Sequence, residues 1–127
     1  MIMEKRVLSN GVEIPAIGLG VYLSPEGQAT ADSVRWAVEA GYRHIDAAAV
    51  YGNECSVGEG IKTCGIPRDQ LFLTSKLWND DIRKGRALDA FKESLERLGT
   101  DYLDLYLIHW PADGHVKAWH VLEELYQ

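Results

Sequence analysis

The chain has 127 residues, 46% of them apolar and 25% charged, with 19 acidic against 13 basic side chains and a formal net charge of −6. That balance excludes a disordered or collagen-like chain, and the length suits one domain of about 100–150 residues. The acidic excess argues against nucleic-acid binding, which needs a clustered basic face to neutralise phosphates. The short basic runs Lys5-Arg6 and Arg83-Lys84-Gly85-Arg86 read as solvated surface.

No apolar stretch approaches the roughly 18 residues of a membrane span, and no charged-then-apolar leader precedes Val7. Cys55 and Cys64 form no C-x-x-C and are too few for a disulfide framework. The expectation is a cytoplasmic chain with free thiols and no membrane partner.

In chain order, a hairpin comes first. Residues 6–8 and 12–14 flank Asn10-Gly11, a dipeptide that accepts the positive φ angles of a type I′ turn, and Pro15 then ends the second arm. Short apolar strands and amphipathic helices alternate after it. Strands are expected over 16–20, 42–46, 71–75 and 104–108. Helices are expected over 28–40, 53–64, 85–98 and 116–126, the third with Leu88, Phe91, Leu95 and Leu98 along one face. A strand–helix repeat of roughly 30 residues gives βαβ units and a parallel sheet, so the class is α/β.

An open doubly wound sheet and a (β/α)8 barrel both fit this alternation. A nucleotide-binding open sheet should carry G-x-G-x-x-G after its first strand. Gly18-Leu19-Gly20 is followed by Val21-Tyr22-Leu23 and lacks the third glycine, and Gly58-Glu59-Gly60 lies inside a helix. Neither is a dinucleotide fingerprint.

Asp46, Lys76 and His109 close the second, third and fourth strands, and Tyr51 follows Asp46 by five residues. In a barrel, strand ends converge on one face, where active sites are built. Singly, Asp46 reads as a helix cap, Lys76 as surface, Tyr51 as packing and His109 as a structural histidine. Together they have a shared logic. A phenol titrates near pH ~10, too high for efficient proton transfer at neutrality. A neighbouring ammonium favours the phenolate, and a carboxylate keeps that ammonium charged. His109 would orient a carbonyl oxygen.

At these residues the chain resembles the aldo-keto reductases. The stretches 41–54 (GYRHIDAAAVYGNE), 74–79 (TSKLWN) and 103–111 (LDLYLIHWP) are similar to that family's aspartate–tyrosine, lysine and histidine segments. Residues 8–15 and 18–20 are similar to its hairpin and first strand. The resemblance implies a (β/α)8 barrel, with 6–15 as a capping hairpin and 16–127 as the first four βα units of a domain spanning 1–127. It implies NADPH-dependent reduction of small aldehydes or ketones without metal. Tyr51 would be the general acid, tuned by Lys76 and Asp46, with His109 orienting the carbonyl. Tyr22, Trp78, Asn79 and Trp110 would line the substrate pocket, and Gly20, Val21 and Asp46 would contact the cofactor. Ala47 stands where the family often has Thr, and Tyr22 where it often has Trp.

A (β/α)8 barrel takes about 250 residues, so these residues are expected to form its N-terminal half. The family's carboxamide-holding pair, its nicotinamide-stacking aromatic and its 2′-phosphate cluster belong to the other half. Open sheet edges then invite homo-association. The alternative function is a catalytically silent half-barrel, acting as a folding or subunit module. A metal site from His109, Asp113, His115 and His120 is not expected, because the spacing fits no zinc pattern and His115 and His120 miss a shared helical face.

Overall fold

The computed structural model describes residues 4–127, so the first three residues of the expected domain lie outside the described residues. β1 (Lys5–Val7) and β2 (Glu13–Pro15) form the antiparallel hairpin, with Lys5 opposite Pro15 and Val7 opposite Glu13. Its turn differs from the expected type I′. Leu23 is the one non-glycine residue with positive φ among the described residues, so Asn10 does not adopt the left-handed geometry that turn requires. Instead the Gly11 amide donates to the Leu8 carbonyl at 2.9 Å, Gly11 takes φ 85°, and the Leu8 amide donates to Val12 at 2.8 Å. This is a three-residue loop in which a left-handed glycine follows the turn.

The remaining elements alternate. They are β3 (Leu19–Gly20), α1 (Gln28–Glu39), β4 (His44–Asp46), α2 (Glu54–Thr63), β5 (Phe72–Leu77), α3 (Asn79–Arg83), α4 (Ala87–Leu98), β6 (Leu105–Ile108) and α5 (His115–Tyr126). The strands lie side by side in chain order, all parallel. A doubly wound sheet reverses strand order and covers both faces. Here the order never reverses and one face takes the helices, which is barrel winding.

Strand alternation explains the covered face. Ile45, Leu73 and Leu77 are fully buried and pack with Val34, Val38, Val57, Ile61 and Leu98 of the helices, or with Ala90, Ala118 and Leu122 further along. Gly58-Glu59-Gly60 has a packing role here. A Cβ on Gly58 would stand 2.7 Å from the Arg97 and Leu98 carbonyl oxygens, and one on Gly60 2.6 Å from the Val34 Cβ. The two glycines let α2 approach α4 and α1.

Three expectations need correction. The first strand shrinks to two residues, with Gly18 lying so close over the His44 ring that a Cβ there would meet it at 2.9 Å. The expected helix over 85–98 starts two residues late, as α4 (Ala87–Leu98), and an additional short helix that was not expected, α3 (Asn79–Arg83), precedes it, with Gly85 at φ 69° between the two. Leu88 is exposed, and the buried stripe of α4 is Ala87, Ala90, Ser94 and Leu98.

Candidate active site

The face of the sheet without helices carries the polar residues. Alternation sends Ile45 and Leu73 to the helices, so Asp46 and Lys76 project the other way. Lys76 lies inside β5, which runs on to Leu77, and His109 follows β6 with its amide donating to the Leu77 carbonyl at 3.1 Å. Tyr51 ends a single turn of 3-10 helix over Ala49–Tyr51, stopped by Gly52 at φ 71°. That turn folds the phenol back over the strand ends.

Lys76 is the hub. Its side chain is only 12% exposed. Its Nζ donates to Asp46 Oδ1, to the Ala47 carbonyl at 2.9 Å and to Tyr51 Oη at 3.4 Å, which engages all three hydrogens of the ammonium. Because Tyr51 Oη accepts from Lys76, its own O–H is free to donate elsewhere. Rings gather around it. Tyr22 lies 5.2 Å from the Tyr51 ring, and the His109 ring meets Tyr51 edge-on at 6.0 Å and Trp78 at 5.2 Å.

His109 has a lowered pKa, first because burial disfavours its charged form and then because of the Lys76 ammonium, with Asp46 opposing both. A neutral imidazole keeps one donor and one acceptor. Its Nδ1 is buried and has no hydrogen-bond partner among the described residues.

The structure therefore brings Asp46, Tyr51, Lys76 and His109 together, with Tyr22 and Trp78 beside them. Gly20 lies opposite Asp46 in the ladder, and nothing stands within 4 Å of where its Cβ would be. Val21 turns its side chain into the helix-side core, while its amide donates to the Asp46 carbonyl at 3.2 Å; only its backbone faces the site. Asn79 opens α3 with Oδ1 buried and without a partner among the described residues. Trp110 is 59% exposed and stands outside the ring contacts that join the others. Among the described residues no group of three or more His, Cys, Asp or Glu side chains could hold a metal; His115 turns to the Ala112 carbonyl and His120 to Glu123. No helix among them is long and apolar enough to cross a membrane.

Sequence reasoning assigned no role to Asn53 and Glu54, both buried directly after the Tyr51 turn. Asn53 Nδ2 donates to the carbonyls of Val21 and Ser24, each at 3.0 Å. Glu54 accepts from Ser75, Ser94 and Arg97. The available signal was a polar pair at the start of an otherwise apolar helix face.

A singly wound parallel sheet with a carboxylate, an ammonium, a phenol and an imidazole gathered beside its strand ends defines a barrel-type α/β protein with its polar groups collected on one face. The model of the aldo/keto reductase family matches residues 16–127, and the chain belongs to that family. It is 50% identical over 121 residues to the 9,11-endoperoxide prostaglandin H2 reductase of Trypanosoma cruzi, covering 94% of this chain and 43% of that one. Against the glyoxal reductase of Bacillus subtilis the identity is 53% over 121 residues, with 94% and 44% covered. Among solved structures, an aldo/keto reductase from Brucella melitensis superposes with a TM-score of 0.91 at 45% identity, covering 98% of this chain and 49% of that chain. A Bombyx mori aldo-keto reductase in complex with NADP gives 0.87 at 37% identity, with 98% and 47% covered. The chain thus spans rather less than half the length of these curated relatives, and matches the first βα units of a (β/α)8 barrel.

Proposed function

We propose that this chain carries the proton-transfer half of an NADPH-dependent carbonyl reductase acting on small aldehydes or ketones in the cytoplasm. Residues 6–15 act as the capping hairpin and 16–127 as the first four βα units. The hydrogen-bond set at Lys76 Nζ supports this reading most. It gives Tyr51 a cation at 3.4 Å and leaves the phenol hydrogen free for an outside acceptor.

The residues present fit the reactive end of the cofactor. Gly20 leaves an open backbone shelf opposite Asp46, and the Asp46 side chain is 42% exposed with Oδ2 free to accept a hydroxyl. Gly20, Asp46 and the Val21 backbone would hold that end. NADPH, when bound, supplies the hydride that reaches the carbonyl carbon. Tyr51 delivers its proton to the carbonyl oxygen. Lys76 stabilises the negative charge that grows on Oη as the proton leaves, in a site where fixed charges act more strongly than in water. Asp46 holds the ammonium in place. His109, neutral and half-buried, donates a hydrogen bond to the same oxygen and sets its angle of approach. Tyr22, Trp78, Trp110 and Asn79 form the pocket wall.

The experiment is carbonyl reduction by the purified protein with NADPH and a small aldehyde, comparing the parent with Tyr51→Phe. A loss of about 10²- to 10⁴-fold is expected for removing a general acid. An undiminished rate in the variant overturns the assignment. A second reading rests on the bare sheet face, where Leu107 is exposed on β6. On it the chain is a silent folding or subunit module that self-associates through its sheet edges, and saturable NADPH binding would count against it.

A further inference from the structure

We propose that Asn53 and Glu54 are positioning residues: together they clamp the Tyr51 turn between the loop that carries Tyr22 and the strand that carries Lys76. This rests on the proposed role of Tyr51, though its geometry can be tested separately.

The Glu54 arm reaches the sheet. Its side chain is 1% exposed, and its two oxygens accept from Ser75 Oγ at 2.8 Å, Ser94 Oγ at 3.1 Å and Arg97 Nε at 2.8 Å. Burying a carboxylate is expensive, and a well-packed apolar replacement is often as stable. Its value is better sought in the geometry it fixes. Ser75 is the β5 residue immediately before Lys76, on the opposite face of the strand. Glu54 comes three residues after Tyr51. One hydrogen bond therefore ties the chain just past the phenol to the strand just behind the ammonium.

The Asn53 arm reaches the other way. Both of its Nδ2 bonds end on carbonyl oxygens, those of Val21 and Ser24, which fixes the orientation of the amide. Between those two residues stand Tyr22 and Leu23. Leu23 has φ 64°, a left-handed conformation that a branched side chain rarely adopts. Such conformations persist where the surroundings over-determine them, and the two Asn53 bonds bracket this one. The held loop presents the Tyr22 ring 5.2 Å from Tyr51.

The test is NMR of the full chain with labelled tyrosine and lysine, reading the Tyr51–Lys76 and Tyr22–Tyr51 cross-peaks beside thermal stability. Ser75→Ala cuts the Glu54 link to β5. Ser94→Ala is the control, because it removes one bond from the same carboxylate at an equally buried site on α4. Weakening of the Tyr51–Lys76 cross-peak in Ser75→Ala alone is expected. No change there, or an equal change in both, overturns the Glu54 arm. Asn53→Ala should weaken the Tyr22–Tyr51 cross-peak and leave Tyr51–Lys76 stronger than Ser75→Ala does. If Asn53→Ala does not fold, Leu23→Gly is added to relieve the loop, and the Tyr22–Tyr51 cross-peak should still be weak. A full-strength cross-peak in a folded Asn53 variant overturns that arm. None of these readouts needs turnover, so a chain that shows the clamp yet reduces no carbonyl contradicts the proposed function alone.

Discussion

The two faces of the parallel sheet use the same strands for opposite ends. On the helix side, Ile45, Leu73 and Leu77 are fully buried among apolar side chains, and the buried carboxylate of Glu54 is matched by two hydroxyls and a guanidinium. On the other side, the Asp46 carboxylate and the Lys76 ammonium, each one residue along its strand from a core side chain, meet the phenol of the Tyr51 turn and the imidazole just past β6. The covered face holds the fold together. Among the described residues, a buried polar atom without a partner occurs on both faces, His109 Nδ1 on the bare face and Tyr106 Oη on the covered one.

That contrast can be broken by substitutions on the two faces of one strand. The largest separation is expected at Lys76→Met, which should lower carbonyl reduction by roughly 10²-fold or more, as for loss of a charge-stabilising group. Its stability should shift by less than about 1 kcal/mol, because the Asp46 partner is partly exposed and remains hydrated. Thermal melts and rates on the same sample check both. Leu73→Ala, on the opposite face of the same strand, should instead cost about 2–5 kcal/mol through lost burial and the cavity left behind, seen in urea unfolding. Gly58→Ala should destabilise by about 1–3 kcal/mol, because its Cβ has no room beside the carbonyls of α4; a neutral result would mean that α2 can move away.

The smallest effect is one of pH. His44 contacts Thr74 Oγ1 through Nε2 and packs edge-on against Phe72. Its pKa is lowered from 6.5, first by burial and also by Lys76, against the raising influence of Asp46, the Pro15 backbone and Asp104. The unfolded chain then binds a proton that the folded chain resists. Stability from this group is intact above 6.5 and falls as the pH drops below it. His44→Gln should make the melting temperature fall less steeply than in the parent between about pH 7 and pH 5. Parallel curves for the two would contradict it.

Much of this was legible in the sequence, and the failures have physical causes. Strand–helix alternation gave the class, and chemistry-bearing residues at or near strand ends gave Asp46, Tyr51, Lys76 and His109, which the fold brings together. Element ends were harder. Lys84-Gly85-Arg86 read as a helix start, whereas Gly85 takes a left-handed conformation and stops α3. Asn10-Gly11 suggests a type I′ turn by composition, but the residue that turns left-handed is Gly11 alone. The choice depends on how many residues the loop contains. Leu88 fits a helical stripe by spacing, but the face of α4 turned inward is the neighbouring one through Ala87, Ala90, Ser94 and Leu98. Val21 was expected to contact the cofactor, yet alternation sends its side chain to the core and leaves only its backbone toward the site. Asn53 and Glu54 escaped because their partners, Val21, Ser24, Ser75, Ser94 and Arg97, are scattered in sequence and meet only in the fold.

The central claim is that the bare face of the sheet is the reactive face. Titrating NADPH into the 127-residue chain, while following nucleotide and tryptophan fluorescence and measuring mass in parallel, tests it most directly. The account predicts saturable binding that Asp46→Asn weakens and Leu73→Ala, in its folded fraction, does not. Absence of saturable binding, or equal weakening by both substitutions, would contradict it.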